Sequence, residues 1–358
     1  MSQFHPLRVA SCKSETRDAL VVTFEVPDAL HNAFRFVQGQ HLALRVTVNG
    51  EELRRSYSIC SAPFEKTLRI AIKRVPDGLF SSWAKENLKP GQIIDCMEPA
   101  GHFHVPLEPA SARHHVAFAA GSGITPVLSI IKTTLAAETR SHMTLVYGNR
   151  ASTSVLFREE LADLKDRYTA RFNLIHILSR EHQDIDLFTG RIDRAKCDQL
   201  FNHWIDPSTI DIAYICGPRS MMEAVSESLQ AHSIDKSQIK MELFSVGLPQ
   251  GPRRSLSSEE SRVQECKVTV IQDGRRREFY LSRNQQTVLD SALEQGIELP
   301  YSCKGGVCST CRCKLTRGEV EMGAQYALED YEIARGFILP CQSYALTDEL
   351  VLDYDQDS

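Results

Sequence analysis

Four cysteines restrict what this chain can fold into more than any other feature. Cys303, Cys308 and Cys311 have a C-x4-C-x2-C spacing within a loop that also holds Lys304, Gly305 and Gly306, and Cys341 stands alone in Leu339-Pro340-Cys341-Gln342-Ser343. A fold built on them must bring one loop and one distant segment to a shared centre. Three crowded thiolates with a distant fourth match the ligand spacing of a [2Fe–2S] cluster, whose negative charge calls for backbone N–H donors turned toward sulfur. Gly305 and Gly306 can supply the backbone angles such a loop needs. A structural zinc site is the other reading of four thiolates, although zinc sites usually pair their cysteines in two short knuckles. Cys313, directly after the trio, is expected to be a packed thiol at a strand start rather than a ligand.

At 358 residues there is room for two or three domains, and 42% hydrophobic with 24% charged residues is the composition of an ordinary soluble protein. A net charge of −5 and short basic clusters argue against a nucleic-acid partner. The N-terminus has no apolar h-region, so no signal peptide is expected. The longest uncharged run, 116–131, is 16 residues interrupted by Gly121, Gly123 and Pro126, whereas a membrane span needs about 20 apolar residues. A cytoplasmic protein with no membrane partner is expected, and eleven cysteines fit reduced thiols and metal ligation better than a disulfide framework. Residues 266–358 hold 10 basic against 15 acidic residues, and the remainder 31 against 31. Asp348, Glu349, Asp353, Asp355 and Asp357 are therefore either a solvated acidic end or a face that steers the cluster toward a basic partner.

From 6 to about 108 the pattern is that of short strands. Leu20, Val22, Phe24 and Val26, and later Leu68, Ile70 and Ile72, alternate with polar or small residues, and turn signals at Asn49-Gly50, Pro76-Asp77-Gly78 and Pro90-Gly91 cut the segment as a small antiparallel barrel requires. Gly78-Leu79-Phe80-Ser81 leads into a helical stretch over 81–87, and its open N–H groups make an anion seat. Arg54-Arg55-Ser56-Tyr57-Ser58 resembles the Arg-x-Tyr-Ser flavin signature of the ferredoxin–NADP reductase superfamily. That resemblance implies that Arg55 pairs with a flavin phosphate, that Tyr57 lies along the isoalloxazine, and that Ser58 sits near its reactive nitrogen. Each residue type suits its role: a planar cationic fork, a flat apolar body, and a small donor or acceptor. Gly78 and Ser81 take the flavin pyrophosphate in this reading, and Lys73, at a strand end, joins the cofactor-binding set. Gly101-His102-Phe103 resembles the family's barrel-closing segment. Gln38 replaces the proline of its usual Pro-Gly-Gln.

After about residue 113, apolar bursts at 116–120, 143–147, 172–178, 212–216 and 239–244 alternate with helical stretches near 125–136, 156–166, 194–201 and 219–232. This implies a parallel sheet with helices on both faces. Gly121-Ser122-Gly123-Ile124-Thr125-Pro126 follows the first strand, and a glycine turn opening a helix lets the backbone approach a pyrophosphate. Gly121, Gly123 and Thr125 are the expected binding residues. Gly-x-Gly-x-x-Pro is also the form the superfamily uses. By resemblance, Cys216 in Cys216-Gly217-Pro218 lies beside the nicotinamide and, with Ser58, serves the hydride step. Ser179-Arg180 holds the 2′-phosphate of NADPH, with Arg150 or Arg191 assisting. Phe244 either shields the flavin or packs in the core.

Residues 245–264 are expected to be a tether, being rich in glycine, proline, serine and charge. A hairpin about Asp273-Gly274 and a helix over 287–295 then resemble the β-grasp fold of plant-type ferredoxins. The expected architecture is therefore multidomain: a flavin β-barrel over 1–110, an α/β nicotinamide domain over 111–244, and an α+β β-grasp cluster domain over 265–358. Phrases along the whole chain, among them Gly50-Glu51-Glu52-Leu53-Arg54-Arg55, Tyr147-Gly148-Asn149-Arg150 and Gly190-Arg191-Ile192-Asp193, resemble the reductase subunits of bacterial phenylacetyl-CoA epoxidases. The resemblance implies electron transfer from NADPH through FAD and a [2Fe–2S] cluster to di-iron oxygenase subunits. The residues alone leave FMN open against FAD. They also leave open a reductase serving another oxygenase or a hybrid-cluster protein, and a non-enzymatic metal-binding module.

Overall fold

The computed structural model describes residues 4–244, 265–283 and 285–356. They form two compact units, one carrying the first two sheets and the other the C-terminal sheets. The tether expected at 245–264 lies outside the described residues, as does Asp357.

Strands β1 (Phe4–Thr16), β2 (Ala19–Glu25), β3 (His41–Val48), β4 (Glu51–Ser58), β5 (Leu68–Lys73) and, after helix α1 (Leu79–Asn87), β6 (Ile93–Met97) form a sheet in the order β4-β3-β6-β1-β2-β5. Just past β4, Ile59 bridges Ile70 of β5, so the two edges meet and the sheet closes into a barrel. Alternation fills it: Leu20, Val22 and Phe24 share one core with Leu68, Ile70 and Ile72. Helix α1 begins two residues earlier than expected and adds Phe80 and Ala84 to that core. Gln38 compensates for the missing proline, because its buried amide donates to the Val105 carbonyl over 3.1 Å.

The second sheet is parallel, β11-β10-β7-β8-β9. Its elements are β7 (His114–Ala120), α2 (Ile124–Ala137), β8 (His142–Asn149), α3 (Arg158–Arg167), β9 (Phe172–Leu178), α4 (Arg194–His203), β10 (Ile212–Gly217), α5 (Arg219–Ala231) and β11 (Ile239–Leu243). The chain starts mid-sheet at β7, winds outward through β8 and β9, and returns to the other side of β7 for β10. That reversal leaves a crevice at the carboxyl ends of β7 and β10, where open α/β sheets take ligands. Each face of the sheet carries its own apolar layer.

Within this unit, four charges join barrel to sheet. Lys132 of α2 is nearly buried, and its Nζ reaches Glu65 Oε1 and Glu160 Oε1, each at 2.8 Å. Arg69 of β5 completes the quartet through Glu160 Oε2 at 2.8 Å. Ser129 of α2 adds a hydroxyl donated to the Ser61 carbonyl at 2.7 Å.

The C-terminal unit contains β12 (Glu265–Gln272), β13 (Arg275–Ser282), α6 (Val288–Glu294), β14 (Cys313–Arg317), β15 (Val320–Met322), α7 (Asp330–Ala334), β16 (Phe337–Ile338), β17 (Ser343–Ala345) and β18 (Glu349–Asp353). The sheet order is β13-β12-β18-β14-β16, with a parallel β12–β18 pair at its centre. Helix α6, capped by Thr287, buries Val288, Leu289 and Ala292 in the same core. The hairpin turns at Asp273 and Gly274, both left-handed, as a two-residue turn requires. Asp355 accepts both of their N–H groups, at 2.7 and 2.8 Å. Asp353 accepts from Asp355 and Gln356, Glu349 meets Arg317, and Asp348 meets Arg283. The acidic end is thus engaged in local bonds at these four positions.

Candidate functional site

The glycines of the nucleotide turn are explained by what lies against them. A Cβ on Gly123 would stand 2.1 Å from the Cys216 carbonyl oxygen, and one on Gly217 would meet Met221 Cε at 2.6 Å and Ala120 Cβ at 3.1 Å. The ends of β7 and β10 therefore touch backbone to backbone, directly at the crevice. Gly121 has φ +55°, and its carbonyl accepts from the Tyr147 hydroxyl at 2.9 Å. Thr125 is buried and donates its hydroxyl to the Ser122 carbonyl at 2.9 Å, so that group shapes the turn. The 3-10 turn over Gly121–Gly123 runs straight into α2, where the Ile124 N–H already donates to the Gly121 and Ser122 carbonyls, so the uncapped helix start that faces a ligand is that of the glycine turn itself. A Cβ on Gly121 would lie 3.4 Å from Lys73 Nζ. Burial and the neighbouring Arg150 hold the Lys73 amine below its ordinary value despite Asp18. Two cations beside an uncapped helix start fit a pyrophosphate.

One member of this constellation is not legible as a motif. The Ser58 hydroxyl at the end of β4 donates to Glu242 Oε2 at 3.0 Å, and Glu242 stands opposite Cys216 in the parallel β10–β11 ladder. Burial, then the Glu242 charge, pushes the Cys216 thiol well up, so it stays a neutral thiol. Ser58, Cys216 and Glu242 thus come together, and only the first two were expected. Phe244, one residue past β11, packs against the apolar core that contains Cys216.

Arg55 and Tyr57 share β4, with Arg55 exposed and Tyr57 half-buried, its ring centroid 5.5 Å from that of Phe80. Gly78 is the N-terminal boundary of α1, which has no side-chain cap. Ser81 is engaged locally: its Oγ accepts from Val75 N–H at 3.1 Å and donates to the Gly78 carbonyl at 3.3 Å. A half-buried flat ring, an exposed arginine and an open helix start form a donor set that fits a flavin with its phosphates. Pro218 precedes α5 directly after Gly217. Ser179 and Arg180 continue β9 alongside β8, their N–H groups donating to the carbonyls of Asn149 and Arg150 at 2.9 and 2.8 Å. Gly190 N–H donates to Leu178, so exposed Arg150, Arg180 and Arg191 follow one sheet edge.

In the C-terminal unit, the cysteine loop takes left-handed backbone at Lys304 (φ +52°), Gly306 (+74°) and Ser309 (+49°). This corrects the expectation for Gly305, which is not left-handed; it serves instead through its N–H, 3.3 Å from Cys303 Sγ. Gly306 is needed twice over, since a Cβ there would meet the Ala324 carbonyl at 2.8 Å. Gln342 ties the two ligand segments, donating to the carbonyls of Lys304 at 2.8 Å and Cys341 at 3.0 Å. The four thiols lie close enough to act on one another. Contact with Cys308, then burial, pushes the Cys303 thiol up, and contact with Cys341, then burial, does the same to Cys311. Among the described residues, no three histidine, cysteine or acidic side chains close around a single ion. Four neighbouring thiols with an N–H turned toward Cys303 sulfur are a donor set that fits a [2Fe–2S] cluster. Thiols that raise one another must lose their protons as iron enters.

Family models match three stretches of the chain. Residues 6–105 match the oxidoreductase FAD-binding domain, 118–227 the oxidoreductase NAD-binding domain, and 270–346 the 2Fe-2S iron-sulfur cluster binding domain. The three together define an oxidoreductase of the flavin and iron–sulfur class. Over 357 residues the chain is 45% identical to a component of the 1,2-phenylacetyl-CoA epoxidase of Escherichia coli (strain K12), covering 99% of each. It is 33% identical to the ferredoxin reductase component of 3-ketosteroid-9-alpha-monooxygenase of Rhodococcus rhodochrous, over 97% of this chain and 96% of that one. The chain belongs to the family of oxygenase reductases that includes both of these components. The solved phthalate dioxygenase reductase has the same fold, with a TM-score of 0.59 at 24% identity over 98% of both chains.

Proposed function

We propose that the chain is a cytoplasmic reductase that takes electrons from NADPH and delivers them, through FAD and a [2Fe–2S] cluster, to the di-iron oxygenase subunits of a phenylacetyl-CoA epoxidase. The observation that carries the reading is the meeting of Ser58 with Glu242 beside Cys216, at the crevice where Gly121 to Gly123 open α2. The 45% identity to a phenylacetyl-CoA epoxidase component along the whole chain supports the choice of partner. In this reading the barrel domain spans 1–110, the nucleotide domain 111–244 and the cluster domain 265–358.

When bound, NADPH and FAD supply hydride chemistry and the cluster supplies one-electron carriage. The chain's own residues position these groups. Gly78, Arg55 and Tyr57 hold the flavin, with Ser81 fixing the turn before α1, while Gly121, Gly123, Thr125, Lys73 and Gly217-Pro218 seat the nucleotide. Ser179 and Arg180 take its 2′-phosphate. Glu242 Oε2 accepts from the Ser58 hydroxyl and so fixes its orientation, and neutral Cys216 offers an uncharged thiol at the hydride site. Cys303, Cys308, Cys311 and Cys341 ligate the cluster.

The test is reconstitution of the purified protein with the oxygenase components of the epoxidase, NADPH and phenylacetyl-CoA. Epoxide formation that requires every component is expected. The 33% relative serving a ketosteroid monooxygenase favours, as second reading, a reductase for another oxygenase. No turnover with the epoxidase components, but turnover with a different oxygenase, would decide for that reading.

A further inference from the structure

Tyr354 carries a buried polar group beside the cysteine loop. It follows β18, whose Asp353 pairs with Lys314 of β14, so the same antiparallel register sets Tyr354 opposite Cys313. Its N–H is anchored to the Ile271 carbonyl at 2.9 Å. The ring packs into the apolar core that contains Cys311, Cys313 and Cys341, all three buried. Its hydroxyl is fully buried and meets no hydrogen-bond partner of ordinary geometry among the described residues, although it faces the Cys313 thiol.

A buried O–H without an acceptor is unfavourable, and an electron-rich cluster sulfur is an acceptor. Hydrogen bonds to cluster sulfurs stabilise negative charge, and the reduced cluster carries one more negative charge than the oxidised one. We propose that Tyr354 is a positioning residue of the iron–sulfur site, its buried hydroxyl donating to sulfur at the Cys311–Cys341 side of the cluster and raising the reduction potential. The inference rests on the reading that Cys303, Cys308, Cys311 and Cys341 hold a [2Fe–2S] cluster. Cys313, the buried thiol that the hydroxyl faces, is not itself a ligand in that reading.

The experiment is redox titration of the full-length holoprotein, monitored by cluster absorption and EPR, with iron and sulfide content measured alongside. Tyr354→Phe removes only the hydroxyl and should lower the potential with cluster content unchanged. Replacing Tyr354 by 3-fluorotyrosine, a stronger donor of nearly the same shape, should raise it. A packing role would not produce opposite signs. Potentials unshifted in both, or shifted the same way, would overturn the proposal. If the phenylalanine variant fails to hold its cluster, an unshifted potential in the fluorinated protein overturns it alone. The phenylalanine shift should persist in a Cys313→Ala background, and its disappearance there would make Cys313 the acceptor and overturn the assignment to cluster sulfur. Wild-type protein without a [2Fe–2S] signal would overturn the ligand reading instead.

Discussion

At Gly123 a single methyl group should be enough to disturb the nucleotide site. A Cβ there would lie 2.1 Å from the Cys216 carbonyl oxygen and 2.6 Å from its carbon, both of them backbone atoms. Gly123→Ala must therefore displace the end of β10, at about 1–3 kcal/mol as overpacking generally costs, and NADP+ affinity should fall about tenfold or more. Wild-type affinity by calorimetry would contradict this. Arg180 tests specificity: a charge-assisted hydrogen bond contributes about 1.5–3 kcal/mol, so Arg180→Ala should weaken NADPH about 10- to 100-fold and NADH little. Equal losses for both would refute its role. At this scale a motif is legible when it carries its own stereochemistry. Gly121 and Gly123 are such residues, and so are the four cysteines. Glu242 is not, because its place beside Cys216 comes from strand register rather than from any local pattern. Gln342 is hidden for the same reason, its two acceptors lying on different segments. Gly305 misleads, since glycine is read as left-handed backbone while here Lys304 takes that conformation.

Helix α2 carries both the nucleotide turn and Lys132, so the ion quartet that grips Lys132 also sets where that turn stands against the barrel. Burial alone would push Glu160 up, but Lys132 and Arg69 hold it below its ordinary value. Lys132→Met would leave Glu65 without its cation and Glu160 held by Arg69 alone. The loss should be about 2–4 kcal/mol, reduced from a fully buried case because both carboxylates stay partly exposed. Urea unfolding measures it, and a loss below about 1 kcal/mol would show that the quartet is not what grips α2. Glu160's depressed titration makes this contribution present above the ordinary carboxylate range and lost as pH falls through the lowered value. The elements themselves are legible within a few residues, since strand alternation and helix–strand alternation follow directly from which faces must be buried. The quartet is not, because its four members come from separate elements and charge spacing along the chain says nothing of such pairing.

For the molecule as a whole, acid sensitivity should come from histidines. Burial holds His104, His114, His115 and His176 below the ordinary 6.5. The unfolded chain takes up protons at these rings that the folded chain refuses, so their stabilisation is full above about pH 6.5 and declines as pH falls beneath it. A melting temperature that stays flat from about pH 7 to about pH 5 would contradict this. The order of the three folds is legible from sequence because each has its own period and its own motif. The acidic C-terminal end is legible only as charge, and the structure shows Asp348, Glu349, Asp353 and Asp355 bonded locally. The central claim is that one chain conducts electrons from a nicotinamide to an iron–sulfur centre. Anaerobic addition of NADPH to the purified holoprotein, followed by low-temperature EPR, tests it most directly. The expected result is the signal of a reduced [2Fe–2S] cluster, lost when Cys308 is replaced by serine. A flavin that bleaches with NADPH while the cluster stays oxidised would contradict it.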